Sequence, residues 1–238
     1  MHGLFITATD TGAGKTFVSC AIAGAWRRQQ RFFRVCKPVA TGAEWDGTAW
    51  LADDTRLLAE AAGENDDKAV TPWSFEAPAA PPVAARAAGA QLKLAELAEA
   101  VRRRTAGGAT VLVEGVGGLL CPLTEQETVA DLVAALGLSV VVVARRSLGT
   151  LNHTLLTVEV ARGRGLSVAG VVVTETAPVR GLAEETNVVE LQRRLVVPLL
   201  AIVPHLPGRA RDVPALDAVD WWALATHKPG APALGRNG

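Results

Sequence analysis

The sequence has no excess charge of either sign: its 24 lysines and arginines are matched by 24 aspartates and glutamates. That balance removes the bulk electrostatic case for a nucleic acid or an anionic membrane as partner. Cysteine is scarce. Cys20, Cys36 and Cys121 stand far apart, without the paired spacing of a metal site or a disulfide framework, and read as buried free thiols in a reducing compartment. No apolar run reaches the length of a membrane span, and the N-terminus lacks a basic segment followed by a signal-type apolar stretch. Six dispersed tryptophans offer no base-stacking platform. No Ser/His/Asp ordering stands out as a hydrolase triad. A cytoplasmic soluble protein is expected, with neither nucleic acid nor membrane among its partners.

What the chain does have is apolar residues in short, regular blocks. Hydrophobic residues make up 49% and charged ones 20% of 238 positions, which suits a buried core in one large α/β domain. Six runs read as strands buried on both faces: "GLFITA", "RVCKPVA", "TVLVEG", "LSVVVVAR", "LSVAGVVVT" and "VVPLLAIVP". Between them lie helical patterns. "KTFVSCAIAGAWRR" should be a helix over Lys15 to Arg28, "ADDTRLLAEAAG" a short one closed by Gly63, and "LKLAELAEAVRRR" an amphipathic one ending in cations. Further helices are expected from "LNHTLLTVEVARGRG" and "AEETNVVELQRRL". The alternation predicts a doubly wound, mainly parallel sheet in a single domain of the P-loop NTPase type over residues 1–226. Phe75 to Gly89, rich in Pro and Ala, is expected to begin as a surface loop, and 227–238 has the composition of a disordered tail.

The motif that carries chemistry is "TDTGAGKT", Thr9 to Thr16. It ends as a nucleotide-binding P-loop does, with Thr9 where a standard Walker A motif has its first Gly. A phosphate cradle needs a strand end, a turn whose backbone N–H groups curl inward, and a helix N-terminus aimed at the anion. All three follow in order here. Gly12 and Gly14 allow close approach of the main chain, Lys15 reaches the outer phosphates, and Thr16 offers a hydroxyl to Mg²⁺. An ordinary Gly-rich turn is the alternative, and the context disfavours it.

Glu114, at the end of "TVLVE", sits where α/β sheets bind ligands, either as a Walker B acid beside Thr16 or as a solvated strand-end carboxylate. Lys37 and Thr41 in "CKPVATG" belong to the same edge. A cation there stabilises a carbamate, a carboxylate or developing phosphoryl charge, unless it only snorkels from the strand end. Asp53 and Asp54 fit an N-cap and first-turn acid, or one of them is a third metal ligand; spacing does not choose. His153, in a first helical turn, reads as structural.

Taken together, these residues resemble the dethiobiotin synthetase family, ATP-dependent carboxylating and ring-closing enzymes of biotin biosynthesis. "TDTGAGKT", "CKPVATG", "DDT", "VEGVGGLLCPL", "LGTLNHTLLT" and "PLLAIVPHLP" follow its pattern in order. The resemblance implies a homodimer with active sites near the subunit interface. It also implies that CO₂, 7,8-diaminononanoate and ATP are joined through a carbamate and a carbamic-phosphoric anhydride. Lys15, Lys37 and Thr11 take the catalytic positions. Thr16, Asp54 and Glu114 hold Mg²⁺. The nucleotide contacts fall on Gly12, Ala13, Gly14, Lys15, Thr16 and Phe17, on Gly115, Val116 and Gly117, and around the base on Thr174, Glu175, Pro204, His205 and Leu206. Substrate contacts fall on Thr41 and on the turn at Gly149, Thr150 and Asn152, whose N–H groups would meet the substrate carboxylate across the dimer.

Three positions depart from the family pattern. Gly12 stands where an acid is frequent, and Pro82 where a His often follows "PxxP". Thr174 takes the place of an Asn that reads the nucleobase. A hydroxyl cannot make the two-point contact of an amide, so base discrimination is expected to rest on backbone near Pro204. Two rivals share a P-loop domain. A cobyrinic-acid-type amide synthetase would append a glutaminase domain, and a partition or septum-positioning ATPase would carry a second lysine where Asp10 and Gly12 stand.

Overall fold

Val-rich runs bounded by glycine bury both faces of a strand only when helices cover the sheet on each side. The chain obeys that demand. A computed structural model describes residues 1–206 and 213–226; the expected tail, 227–238, lies outside the described residues. In chain order β1 (Gly3–Ala8) leads into α1 (Lys15–Arg28), then β2 (Phe33–Cys36), β3 (Val39–Thr41) and a small hairpin of β4 (Glu44–Trp45) and β5 (Trp50–Leu51). Next come α2 (Asp53–Ala62), α3 (Asp67–Val70), β6 (Trp73–Phe75), α4 (Pro81–Ala87) and α5 (Leu94–Arg103). The second half runs β7 (Thr110–Glu114), α6 (Val129–Leu136), β8 (Ser139–Arg145), α7 (Thr150–Gly163), β9 (Val168–Thr174), α8 (Leu182–Arg194) and β10 (Leu199–Val203). Two short helices, α9 (Pro214–Asp217) and α10 (Trp221–Thr226), close the described chain.

Six strands form one parallel sheet in the order β10-β9-β8-β1-β7-β2. β1 lies between β7 and β8, so the chain leaves its carboxyl end where the strand order reverses. That is the place such sheets leave open for a ligand. The side chains of β1 alternate strictly. Leu4 and Ile6 join Val18, Ile22 and Trp26 of α1 on one face, and Phe5 joins Leu97 of α5, Leu132 of α6 and Leu191 of α8 on the other. No helix among the described residues is long and apolar enough to cross a membrane.

The expected main strands and helices are present, with three differences. "RVCKPVA" is not one strand. Pro38 has no N–H to give the ladder, and Lys37 N–H bonds the Val70 carbonyl at 2.8 Å instead of β7. The chain therefore leaves the main sheet, and β3 pairs with β6 in a separate parallel pair. In the Pro/Ala-rich stretch, residues 76–80 do form a loop, but Pro81 and Pro82 then open α4. Proline is tolerated there because first-turn N–H groups have no intrahelical acceptor. α6, which the sequence reading passed over, starts at a capping box in which Thr128 and Asp131 bond reciprocally.

Candidate active site

The P-loop is a backbone device before it is a side-chain one. Gly14 has φ 90°, a left-handed conformation that glycine adopts without penalty, and it caps α1. The first helical bond is Val18 N–H to the Gly14 carbonyl at 3.1 Å. The N–H groups of Gly12, Ala13, Gly14, Lys15, Thr16 and Phe17 have no acceptor among the described residues. A helix start with this many open donors is a ready anion site. The loop's first half is braced by Asp10, whose carboxylate accepts Thr11 N–H at 2.7 Å and lies 3.4 Å from Arg145.

Four chain segments bring charge to the end of this loop. Lys15 and Thr16 come from α1, Lys37 from the end of β2, Asp54 from the first turn of α2 and Glu114 from the end of β7. Lys37 Nζ donates to Glu114 Oε1 at 2.6 Å and lies 3.0 Å from Asp54 Oδ2. Thr16 Oγ1 is 2.8 Å from Asp54 Oδ1 and 2.9 Å from Glu114 Oε1. One hydroxyl proton serves two carboxylate oxygens, so only one of these bonds is satisfied at a time. Glu114 is fully buried, and its Oε2 has no partner among the described residues.

Charge state follows from these neighbours. Burial works against the ammonium of Lys37, but Glu114 and then Asp54 together outweigh it, and its pKa is raised. Asp54 is the converse: burial would raise its pKa, and Lys37 with Thr16 lowers it. Lys15 is buried with no carboxylate in contact among the described residues, and burial, then the charge of Lys37, pull its pKa below the usual lysine value.

The donor set suits Mg²⁺. A hydroxyl and two carboxylates, one with a free buried oxygen, are what Mg²⁺ takes when phosphate oxygens and water complete its octahedron. No cluster of three His, Cys, Asp or Glu side chains arranged for a metal occurs among the described residues, and none is needed by a cation shared with phosphate.

Beside the P-loop opens a cleft of about 420 Å³, lined by Thr9 to Thr11, the loop 117–121, and His153, Leu156, Thr157 and Val160 of α7. Gly118 lets that loop lie against the strand end, since a Cβ there would sit 3.2 Å from the Ala8 carbonyl oxygen. Thr41 ends β3, half-buried.

Comparisons with known proteins give the family and the fold. A family model described as an AAA domain matches residues 2–211. The ATP-dependent dethiobiotin synthetase of Anaeromyxobacter dehalogenans strain 2CP-C is 46% identical over 220 residues, 92% of this chain and 97% of that protein. The chain belongs to the ATP-dependent dethiobiotin synthetase family. Its counterpart in Aromatoleum aromaticum is 40% identical over 86% of this chain and 91% of its own length. The septum site-determining protein MinD from Pyrococcus horikoshii, complexed with Mg-ADP, superimposes with a TM-score of 0.52 at 17% identity, over 87% of this chain and 82% of that one. That likeness shows the fold alone.

Against the dethiobiotin synthetase pattern, several residues sit in unexpected ways. Of the turn opening α7, Thr150 N–H already bonds the Ser147 carbonyl at 3.1 Å, and its side chain is buried against Thr154. The N–H groups of Gly149, Leu151 and Asn152 have no acceptor among the described residues; Leu151 was not expected, because nothing local in a sequence marks which N–H a turn consumes. His153 is exposed and lines the cleft instead of serving the core. At Gly12 a Cβ would meet nothing within 4 Å among the described residues, but φ is 73°, a left-handed conformation that side chains rarely adopt. Gly115 N–H continues the sheet to the Ile6 carbonyl, Val116 packs against the apolar cluster that holds Phe5, and a Cβ on Gly117 would lie 3.9 Å from Thr11 Oγ1 of the P-loop. Glu175 pairs with Arg146 and accepts His205 N–H at 3.0 Å, bringing 204–206 to the end of β9. Pro204 and His205 are exposed and Leu206 half-buried, forming a rim.

Proposed function

We propose that the protein makes dethiobiotin from 7,8-diaminononanoate, CO₂ and ATP, with Mg²⁺ as the metal. The observation that carries this reading is the meeting of Lys37 and the P-loop Thr16 on one oxygen of Glu114, at 2.6 and 2.9 Å. A nucleotide-binding module has no use for a second buried lysine from another strand. An enzyme that phosphorylates an anionic acceptor does.

One amine of the substrate adds to CO₂, forming a C–N bond and giving up a proton. The carbamate oxygen attacks the γ-phosphorus, and ADP leaves. The second amine attacks the carbonyl carbon, the C–O bond to phosphate breaks, and phosphate departs as the ring closes and a proton is released. Ring closure is intramolecular, which removes most of its entropic barrier. The open N–H groups of Gly12 to Phe17 hold the phosphates. Lys15, short of a carboxylate partner, is available to the β- and γ-oxygens, and Lys37 faces the same charge from the acceptor side. Thr11, at the mouth of the cleft, lies between nucleotide and acceptor. Mg²⁺ among Thr16, Asp54 and Glu114 supplies charge neutralisation for the phosphate oxygens.

The cleft beside Thr11 suits the aliphatic body of the substrate, with Leu120 and Leu156 on its walls. Thr41 lies on the acceptor side, and the Leu151 and Asn152 N–H groups suit the substrate carboxylate. Leu148 and Leu182, at the starts of α7 and α8, are 82% and 75% exposed and Leu156, midway along α7, 55%, which fits a homodimer closing over that side. Mass-spectrometric detection of dethiobiotin from diaminononanoate, bicarbonate and MgATP tests the whole reading. Nucleotide hydrolysis without that product would sink it.

A further inference from the structure

Thr174 ends β9 and lies beneath the P-loop, 4% exposed. Its hydroxyl donates to the Ala13 carbonyl at 2.6 Å, across 161 positions of sequence. The other carbonyl within reach, that of Ala144, is 3.4 Å away, and a hydroxyl has a single proton to give. Its side chain also floors the next residue: a Cβ on Gly14 would lie 3.3 Å from both Thr174 Cγ2 and Oγ1.

We infer that Thr174 is a positioning residue for the phosphate cradle, not a reader of the nucleobase. In a trans peptide the carbonyl and the following N–H point in opposite directions. Tying the Ala13 oxygen down toward β9 therefore turns the Gly14 N–H away from the sheet, among the other open donors of the loop. Ala13 is fully buried, so its carbonyl has no water to replace the hydroxyl. The side chain that would have to meet the base is spent on the loop, while Glu175, Pro204 and His205 form the rim instead.

The inference rests on the ATP reading above, and its test separates the two. Calorimetric titrations of wild type, Thr174→Val and Thr174→Ser would use ATP, GTP, CTP and AMP in the presence of Mg²⁺. Val keeps the shape and loses the hydroxyl; Ser keeps the hydroxyl and loses the methyl. One hydrogen bond of ordinary strength corresponds to about a threefold to tenfold change in affinity. The Val variant should weaken all three triphosphates by a common factor of that size, leave AMP nearly unchanged, and keep the ratios among bases. Ser should restore wild-type affinity. Altered base ratios, or unchanged triphosphate binding in a folded Val variant, would overturn the inference while leaving the ATP reading in place. A wild type that binds no nucleotide would remove both. If Thr174→Val does not fold, Thr174→Ala set against Thr174→Ser carries the same contrast.

Discussion

Two acid–base pairs, the half-buried Glu64–Arg104 and the buried Glu114–Lys37, show what separates a structural network from a site. In the first, everything is closed. Glu64 accepts the Val35 N–H at 2.9 Å with one oxygen and pairs with Arg104 through the other, and Arg104 Nε donates to the Val35 carbonyl at 3.0 Å. β2 is an edge strand of the main sheet, and these two side chains occupy the backbone groups that a neighbouring strand would have taken. An edge managed this way is closed to another chain. In the second pair the accounts do not close. One oxygen of Glu114 takes both Lys37 and Thr16, and the other, fully buried, has no partner among the described residues. Buried polar groups are almost always satisfied in a folded protein, so an exception marks a place shaped for something else.

Breaking the closed pair should cost stability and spare the reaction. Glu64→Ala strands a half-buried guanidinium and the Val35 N–H of β2, and leaving such groups unpaired costs about 1–3 kcal/mol. Urea unfolding should show that loss, and light scattering a rise in self-association from the opened edge. Turnover per folded molecule should hold. A cost under about 1 kcal/mol would show that the edge is protected by other means.

The open pair should fail in the opposite way. Lys37→Ala should lower dethiobiotin formation on the order of a hundredfold or more while ATP binding survives, because Lys37 faces the acceptor and not the P-loop donors. Steady-state rates and nucleotide titrations on the same preparation measure both halves. Wild-type turnover would reduce Lys37 to a counter-ion for Glu114.

How much of this was legible follows from distance along the chain. The P-loop occupies eight consecutive residues, and β1, β7, β8 and α1 are long periodic runs, so their types and their meeting edge could be read directly. Lys37 and Glu114 were found because each ends a strand, although 77 positions separate them. Spacing does not choose between Asp53 and Asp54, since both fit a first helical turn, and only the family resemblance names Asp54; in the fold it is Asp54 that lies against Lys37 and Thr16. Thr174 was expected beside the base because family position says nothing about where a hydroxyl proton goes. Glu64 and Arg104 carried no signal at all: an acid after a helix and a cation at the end of another look like any solvated pair. β3 was merged with β2 in one apolar run, β4 to β6 escaped because runs of two or three residues have no measurable period, and α4 escaped because Pro and Ala suggested a loop.

The smallest expected effect sharpens the contrast, since it is a gain of stability from damage to the site. Lys15 is buried with its pKa lowered, by burial first and by Lys37 second, with Glu114 and Asp54 only partly offsetting them. Its charged form is therefore disfavoured in the folded protein relative to the unfolded chain. That cost is fully present below the folded pKa, declines as pH rises through it, and is gone above the unfolded value of about 10.4. Lys15→Met removes the charge and keeps the length, so the nucleotide-free variant should melt above wild type at pH 7. A gain of about 1 kcal/mol corresponds to about 2–4 °C for a chain of this size. Near pH 10 the advantage should shrink, because wild-type Lys15 there has begun to lose its proton in the folded state. ADP should reverse the order at pH 7, since an anion in the cradle converts the buried charge of wild type from a cost into a contact. Thermal melts at both pH values, with and without ADP, test the sign directly. A variant that melts below wild type at pH 7 without nucleotide would mean that Lys15, like Arg104, is part of a closed network.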